Sequence, residues 1–459
     1  MSHELSEVGT PQRPIRVAIV GAGPSGFYTA DALLRSKKTV HVDLYDRLPT
    51  PFGLVRGGVA PDHPNIKAVI RVYEKTAALP GFNLVGNVMI GRDITTAELR
   101  RSYDMVAYCT GCEDDARMGI EGEDLKGSHS ATAFVGWYNG HPDYAEEEFD
   151  LTSEVAVVVG VGNVAIDVAR VLVRDPHELA VTDIASYATD SLHESKVHTV
   201  WLLGRRGPAQ AAFSPGEIHE LSEVCDLIVR PEDLAADPMV DSPDLDTNTA
   251  RNVKFLREQA ARGDTTGYRK VRLCFATSPH RILGENGRVV GIEVERNTLE
   301  LGPKGVTARG TGQYEIIPTD LVFRAVGYRG RPLEGLPWDQ KLGRLASEGG
   351  RLVDASGPRY GEYIAGWAKR GPSGLIGTNK GDASATVNVM FEDLAAGRVQ
   401  LTTEPELAAS LLKSRNVRTV NFADWSRLDL HEIDRGKPSG KPREKLTDTG
   451  AMLRVIEDW

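Results

Sequence analysis

The chain has 459 residues, 41% of them apolar, with 47 glycines and a formal charge of −10, a length and composition that suit two or three α/β domains with buried cores. The negative balance argues against general nucleic-acid binding, which draws its affinity from lysine and arginine at phosphates, and no apolar run approaches the roughly 20 residues of a membrane helix. Four cysteines, Cys109, Cys112, Cys225 and Cys274, form neither a secreted disulfide framework nor a spaced ligand set for an iron–sulfur cluster, so no metal site is expected.

Residues 1–13 carry neither an apolar signal core nor an arginine-rich transit pattern, which points to the cytoplasm. The apolar run over 15–20 ends in Gly21-Ala22-Gly23-Pro24-Ser25-Gly26, helical periodicity follows over 24–37, and a short strand over 41–45 completes a β-α-β unit. Gly21, Gly23 and Gly26 let the strand turn sharply into a helix whose N-terminus holds a pyrophosphate. Asp46 stands twenty positions after Gly26, where a carboxylate bonds ribose hydroxyls and repels a 2′-phosphate, so the site suits FAD or NAD.

A strand over 105–108 ends in Cys109-Thr110-Gly111-Cys112, the spacing of a redox dithiol. The pair directly ends a buried-type strand, a place that favours small buried residues instead. The acidic stretch 143–150, after His141 and Pro142, reads as a surface crossing. A second unit begins with a strand over 155–159, the turn Gly160-Val161-Gly162-Asn163-Val164-Ala165, and a helix over about 164–173. Ala165 is small enough for the third fingerprint position. The next strand, over 200–203, lies beyond an insertion at 174–196 and ends in Gly204-Arg205-Arg206-Gly207. Two guanidinium groups there grip a 2′-phosphate, so NADP is preferred over NAD, and the first site is then left to FAD. A strand over 320–326 resembles a return crossing, the glycine-rich segment 366–381 precedes a last helix over about 382–396, and the tail after Leu401 shows little periodicity.

Between these motifs run Pro49-Thr50-Pro51-Phe52-Gly53-Leu54-Val55-Arg56, Gly58-Val59-Ala60-Pro61-Asp62-His63-Pro64, Phe134-Val135-Gly136-Trp137-Tyr138-Asn139-Gly140 and Gly366-Trp367-Ala368-Lys369-Arg370-Gly371-Pro372-Ser373-Gly374-Leu375-Ile376-Gly377-Thr378-Asn379-Lys380. Over residues 15–396 the chain resembles the adrenodoxin reductase family of FAD-containing ferredoxin–NADP reductases. The resemblance implies an α/β fold of two Rossmann-like domains, with the NADP domain (115–336) inserted into an FAD domain made of residues 1–114 and 337–459. It implies FAD contacts at Ala22, Asp46, Leu54, Val88, Trp367, Gly374, Leu375 and Ile376. It likewise implies NADP contacts at Val161, Gly162, Asn163, Val164, Arg205, Arg206 and Glu217, with Gly374 facing both cofactors. His63 and Glu220 match a pair the family places near the flavin, on a proton-transfer route. The reaction implied is hydride transfer from NADPH C4 to flavin N5, followed by single-electron transfer to a ferredoxin.

An acidic ferredoxin needs a positive landing surface, and Arg251, Lys254, Arg257 and Arg262 stand at near-helical spacing. Two other readings stay open at this level. One is an NADPH-dependent disulfide reductase working through Cys109 and Cys112, and the other is a flavoprotein that senses NADP without turnover.

Overall fold

The computed structural model describes residues 7–263 and 267–457; residues 1–6, the start of the segment read for a leader, lie outside them. Two largely parallel sheets carry the molecule. The first runs in the order Ser347–Glu348, Arg351–Asp354, Gly357–Ile364, Met105–Tyr108, Ile15–Val20, Val40–Tyr45, Phe82–Val85. The second runs Ser128–Ser130, Leu321–Arg324, Val155–Val159, Thr199–Leu203, Lys270–Cys274, Asp226–Val229. Continuous runs such as Val157, Val158 and Ile19 are buried, as strands covered by helices on both faces require.

The first sheet draws on both ends of the chain and the second only on its middle, so one dinucleotide-binding fold is inserted into the other. The two crossings lie side by side as an antiparallel pair, Asp114–Asp115 with Tyr328–Arg329. Each sheet has its own core. Val17, Leu44, Met105 and Met390 pack together in the first, and Phe134, Val158, Leu202 and Phe323 in the second.

The insertion at 174–196 folds as two short helices, Pro176–Ala180 and Ser186–His193, which accounts for the long gap before the arginine pair. The acidic stretch is anchored by buried Phe149 and Leu151 around a short turn, Pro142–Tyr144. The last glycine-rich segment gives way to helix at Thr378, four residues before the sequence suggested, and the helix runs to Ala395. The tail is helical where little periodicity was read: Leu407–Ser414, Phe422–Gly436 and Thr449–Glu457. Its signals were short. Asn421 and Asp424 form a reciprocal capping box, and Trp425 and Leu428, one turn apart, enter the first core.

An antiparallel sheet of Thr277–Glu285, Arg288–Gly302 and Gly305–Pro318 was not foreseen. Its tight turn is Asn286-Gly287, with φ of 52° and 78°, the mirror-image turn that Asn-Gly favours because both residues tolerate positive φ. Among the described residues no helix is long and apolar enough to cross a membrane.

Candidate functional site

At the first fingerprint the glycines are dictated by close backbone approach. Gly21 has φ of 107°, and a Cβ there would stand 2.5 Å from the Cys109 carbonyl oxygen. Gly26 has no room because the Gly21 carbonyl faces it. Gly53, at φ 49°, would drive a Cβ to 2.9 Å from the Gly23 Cα, so the 49–56 segment lies directly against the turn. The helix Pro24–Leu34 then presents its N-terminus beside this junction.

Asp46 accepts the Ala22 N–H at 2.8 Å and the Leu48 N–H at 3.0 Å. Burial pushes its carboxyl up to about 6 against the pull of these bonds. Val88, buried, returns its N–H to the Asp46 carbonyl at 2.8 Å. The fingerprint acid, the turn and Val88 therefore form one hydrogen-bonded unit.

The distant segment 366–377 is brought to the same place because strand Gly357–Ile364 pairs with Met105–Tyr108, the neighbour of Ile15–Val20. A Cβ on Gly366 would lie 2.5 Å from Ser25 Oγ. Ser25 Oγ and Trp367 Nε1 are buried without a partner among the described residues, while Leu54 and Leu375 are 42% and 64% exposed. Orphaned polar atoms beside uncovered apolar side chains fit FAD, whose ring is flat and apolar with polar edges. Leu375 gives its N–H to Thr378 Oγ1 at 3.1 Å, and among the described residues the N–H groups of Gly374 and Ile376 have no acceptor. They precede the helix Thr378–Ala395, where such donors favour negative charge.

At the second fingerprint Gly160 has φ of 141° and the Ala325 carbonyl sits where its Cβ would go. Val161 accepts the Ala212 N–H at 2.8 Å, and the Asn163 side chain accepts the Ser214 N–H at 2.8 Å. Val161 also packs within 3.0 Å of the position a Gly204 Cβ would take, which sets the turn 160–164 against the arginine pair. Arg205 and Arg206 are exposed, and among the described residues their guanidinium groups have no hydrogen-bond or ion-pair partner. Two free cations beside a fingerprint suit a phosphate dianion.

Glu217 lies on the helix Pro215–Val224, which starts beside Ser214. It accepts from Arg170 at 3.1 Å and lies 3.6 Å from His63 Nε2. His63 is buried, and its Nε2 is 2.8 Å from Glu220 Oε2, whose side chain is half exposed. The His63 side chain makes no cap to the helix that follows it. Arg170, fully buried, binds Asp62 at 2.8 Å and Asp167 at 2.7 Å. Burial pushes Asp167 up to about 7, while for Asp62 burial also pulls upward but Arg170, His63 and Arg174 together outweigh it and hold it below the ordinary carboxylate range. Sequence reasoning missed Arg170. A lone arginine at the end of an apolar helix carried no signal, and of its acidic partners Asp167 is on the same helix while Asp62 and Glu217 come from two distant segments. His63, Asp167 and Glu217 are close enough to share a cation, and Arg170 already supplies the positive charge there. Asp62, His63, Arg174, Glu220 and Glu223 border a cavity of about 280 Å³.

Cys109 and Cys112 are free and buried, and burial raises both thiols to about 11, which keeps them protonated and poorly nucleophilic near neutral pH. Of the basic run, Arg251 and Lys254 line a cleft of about 490 Å³ with His219, Phe255 and Glu258. Arg257 is paired with Asp241 and Arg262 bonds Gln259, so only part of that run presents free charge.

A model of the NAD(P)-binding Rossmann-like domain matches residues 19–78. Over 457 residues the chain is 42% identical to the NADPH-ferredoxin reductase FprA of Mycobacterium tuberculosis, spanning 96% of this chain and 99% of that protein. It is 42% identical to the mitochondrial NADPH:adrenodoxin oxidoreductase of Arabidopsis thaliana, over 96% and 95% of the two chains, and 41% identical to that of Homo sapiens, over 99% and 94%. The structure of Mycobacterium tuberculosis FprA in complex with NADPH superposes with a TM-score of 0.92 at 41% identity, covering 97% of this chain and all of that one. Full-length identity of this order, together with the same fold, makes this chain a member of the NADPH-ferredoxin and adrenodoxin reductase family.

Proposed function

We propose that this chain is an FAD-dependent NADPH–ferredoxin oxidoreductase, with FAD on the first sheet and NADP(H) on the second. The observation that carries the reading is the unlike chemistry at the ends of two matching fingerprints, a half-buried carboxylate at Asp46 and two guanidinium groups, at Arg205 and Arg206, without a partner among the described residues. The relatives named for NADPH and an iron–sulfur partner, and the related structure that holds NADPH, support it.

When bound, FAD supplies the junction between a two-electron hydride donor and one-electron acceptors. The chain's own residues bind, orient and shield. Gly21, Gly23, Gly26 and Gly53 would admit a pyrophosphate to the backbone, Val88 would close the ribose end beside Asp46, Leu54 and Trp367 would wall the ring, and the N–H groups of Gly374 and Ile376 would stabilise negative charge on it. Val161, Gly162, Asn163 and Val164 hold the second pyrophosphate, and Arg205 and Arg206 select the 2′-phosphate. His63 and Glu220 pass protons between the interior and the open cavity, with Glu217 oriented by Arg170.

The domain limits that go with this reading are 1–114 and 337–459 for FAD and 115–336 for NADP, supported by which strands enter which sheet. Arg251 and Lys254 offer an acidic ferredoxin its landing surface. A cytoplasmic site of action belongs to the same reading, with cell fractionation as its check.

The test is anaerobic. The purified yellow protein is mixed with NADPH and then with a panel of ferredoxins from the host. Rapid bleaching followed by ferredoxin reduction is expected. A protein that binds NADPH without bleaching is the sensor instead, and the proposal fails.

A further inference from the structure

The two nucleotide-binding units have separate apolar cores, and buried ion pairs cross between them. Asp62 meets Arg170 at 2.8 Å, Lys67 meets Asp183 at 2.6 Å, and Lys445 meets Asp183 at 3.1 Å. Apolar contacts slide with little change in energy, whereas short charge-assisted hydrogen bonds fix distance and direction. The angle between the units is therefore set by a few polar side chains.

Lys445 is the member of this set that joins the most segments. Its side chain is 1% exposed, and burial, joined by the nearby Lys67 and Arg56, lowers the amine to about 7 although Asp183 pulls the other way. It donates to the Arg56 carbonyl at 3.3 Å, the Asn139 carbonyl at 3.0 Å and the Asp183 carboxylate at 3.1 Å. Two backbone carbonyls and one carboxylate thus surround the Lys445 nitrogen. Arg56 lies on the short helix Leu54–Gly57 of the first unit. Asn139 ends the helix Ala131–Tyr138 of the second unit, and Asp183 lies in the insertion at 174–196. Burial alone would raise Asp183, but Lys445 and Lys67 outweigh it and hold that carboxylate ionised.

The tail that carries Lys445 is held on both sides. Trp425, Leu428 and Met452 enter the first core, and Glu432 binds Arg56 at 2.6 Å and the Leu446 N–H at 2.9 Å. Lys441 reaches the other way, donating to the Ile184 carbonyl at 2.7 Å, to Ser186 at 3.2 Å, and to Glu444. The two covalent crossings sit together at Asp114–Asp115 and Tyr328–Arg329. They form one joint, and a joint alone leaves an angle free.

We propose that Lys445 is a positioning residue: from the C-terminal tail it locks the two nucleotide-binding units at one angle and so sets how the nicotinamide meets the flavin. The link to hydride transfer rests on the two-cofactor reading above, whereas the lock itself does not. Lys445 grips the Arg56 carbonyl, two residues along the chain from Leu54, without contacting either nucleotide site itself.

The test uses the holoenzyme with spin labels at Lys75→Cys and Glu258→Cys, both exposed positions on opposite units, in a Cys225→Ser background. Pulsed electron paramagnetic resonance reads the distance between the units, and stopped-flow mixing with NADPH reads flavin bleaching. Wild type should give one narrow distance. Lys445→Met should broaden or displace it and slow bleaching by roughly tenfold to hundredfold, the scale expected for about 1 Å of misplacement at reacting atoms. KM for NADPH should stay within about twofold, since neither nucleotide site is touched, and Lys445→Arg should recover the narrow distance. If Lys445→Met does not fold, Asp183→Asn is read in the same two ways. An unchanged distance, or an unchanged bleaching rate, in a folded variant overturns the proposal. Failure of the wild type to bleach would instead sink the functional reading, which the distance measurement does not depend on.

Discussion

At the scale of single residues, charge decides which nucleotide goes where. Arg205 and Arg206 are exposed and unpaired among the described residues, so replacing both by alanine removes phosphate contacts without opening a core. Charge-assisted hydrogen bonds are worth about 1.5–3 kcal/mol each, so kcat/KM for NADPH should fall roughly hundredfold or more while that for NADH changes little. Steady-state kinetics with the two donors checks this, and an unchanged preference would remove the second site from its assigned place. Cys109 and Cys112 test the rival chemistry. Burial raises both thiols to about 11, so Cys109→Ser with Cys112→Ser should keep ferredoxin reduction within about threefold of wild type. A disulfide reductase would lose all turnover.

At the scale of elements, the turns were legible and the partners of their side chains were not. Gly21, Gly26 and Gly160 announce themselves because only glycine fits where a backbone carbonyl occupies the Cβ position. Gly53 belongs to the same junction. Gly53→Ala would force a Cβ to within 2.9 Å of Gly23 at φ 49°, a strain of about 1–3 kcal/mol. The variant should purify with less flavin, read as the ratio of flavin to protein absorbance, while free FAD restores its colour at high concentration. Two element-scale signals were overlooked. Asn286-Gly287 between alternating residues marked the hairpin, and Asn421 with Asp424 marked a tail helix. Both are motifs of two to four residues, easily lost beside long periodic runs. No local pattern shows that Glu217 belongs with Arg170 and His63, since that grouping depends on three segments meeting.

For the whole molecule, stability and pH are linked through groups buried by packing between distant segments. Burial, with Arg324 adding to it, lowers His129 to about 4, where the ring packs against Phe149 and Phe323. Its folded pKa lies below the unfolded value of about 6.5, so its contribution is present above pH 6.5 and is lost as pH falls towards 4. Asp46 and Asp167 act in the opposite sense, because burial raises them to about 6 and about 7, and their contribution is lost as pH rises through those values. A comparison with His129→Gln isolates the first effect. The melting temperature of wild type minus that of the variant should shrink steadily from pH 6.5 to 4, and a constant difference would show that His129 does not titrate with folding.

The sequence by itself determined the two nucleotide units, their order and their unlike cofactors, because sharp turns and charge selection are written in residues close along the chain. Only the tertiary structure decided which ends meet. The segment 366–377 closes on Ser25 because of strand order, and Arg170 and Lys445 acquire roles because buried charges must find partners wherever the fold brings them.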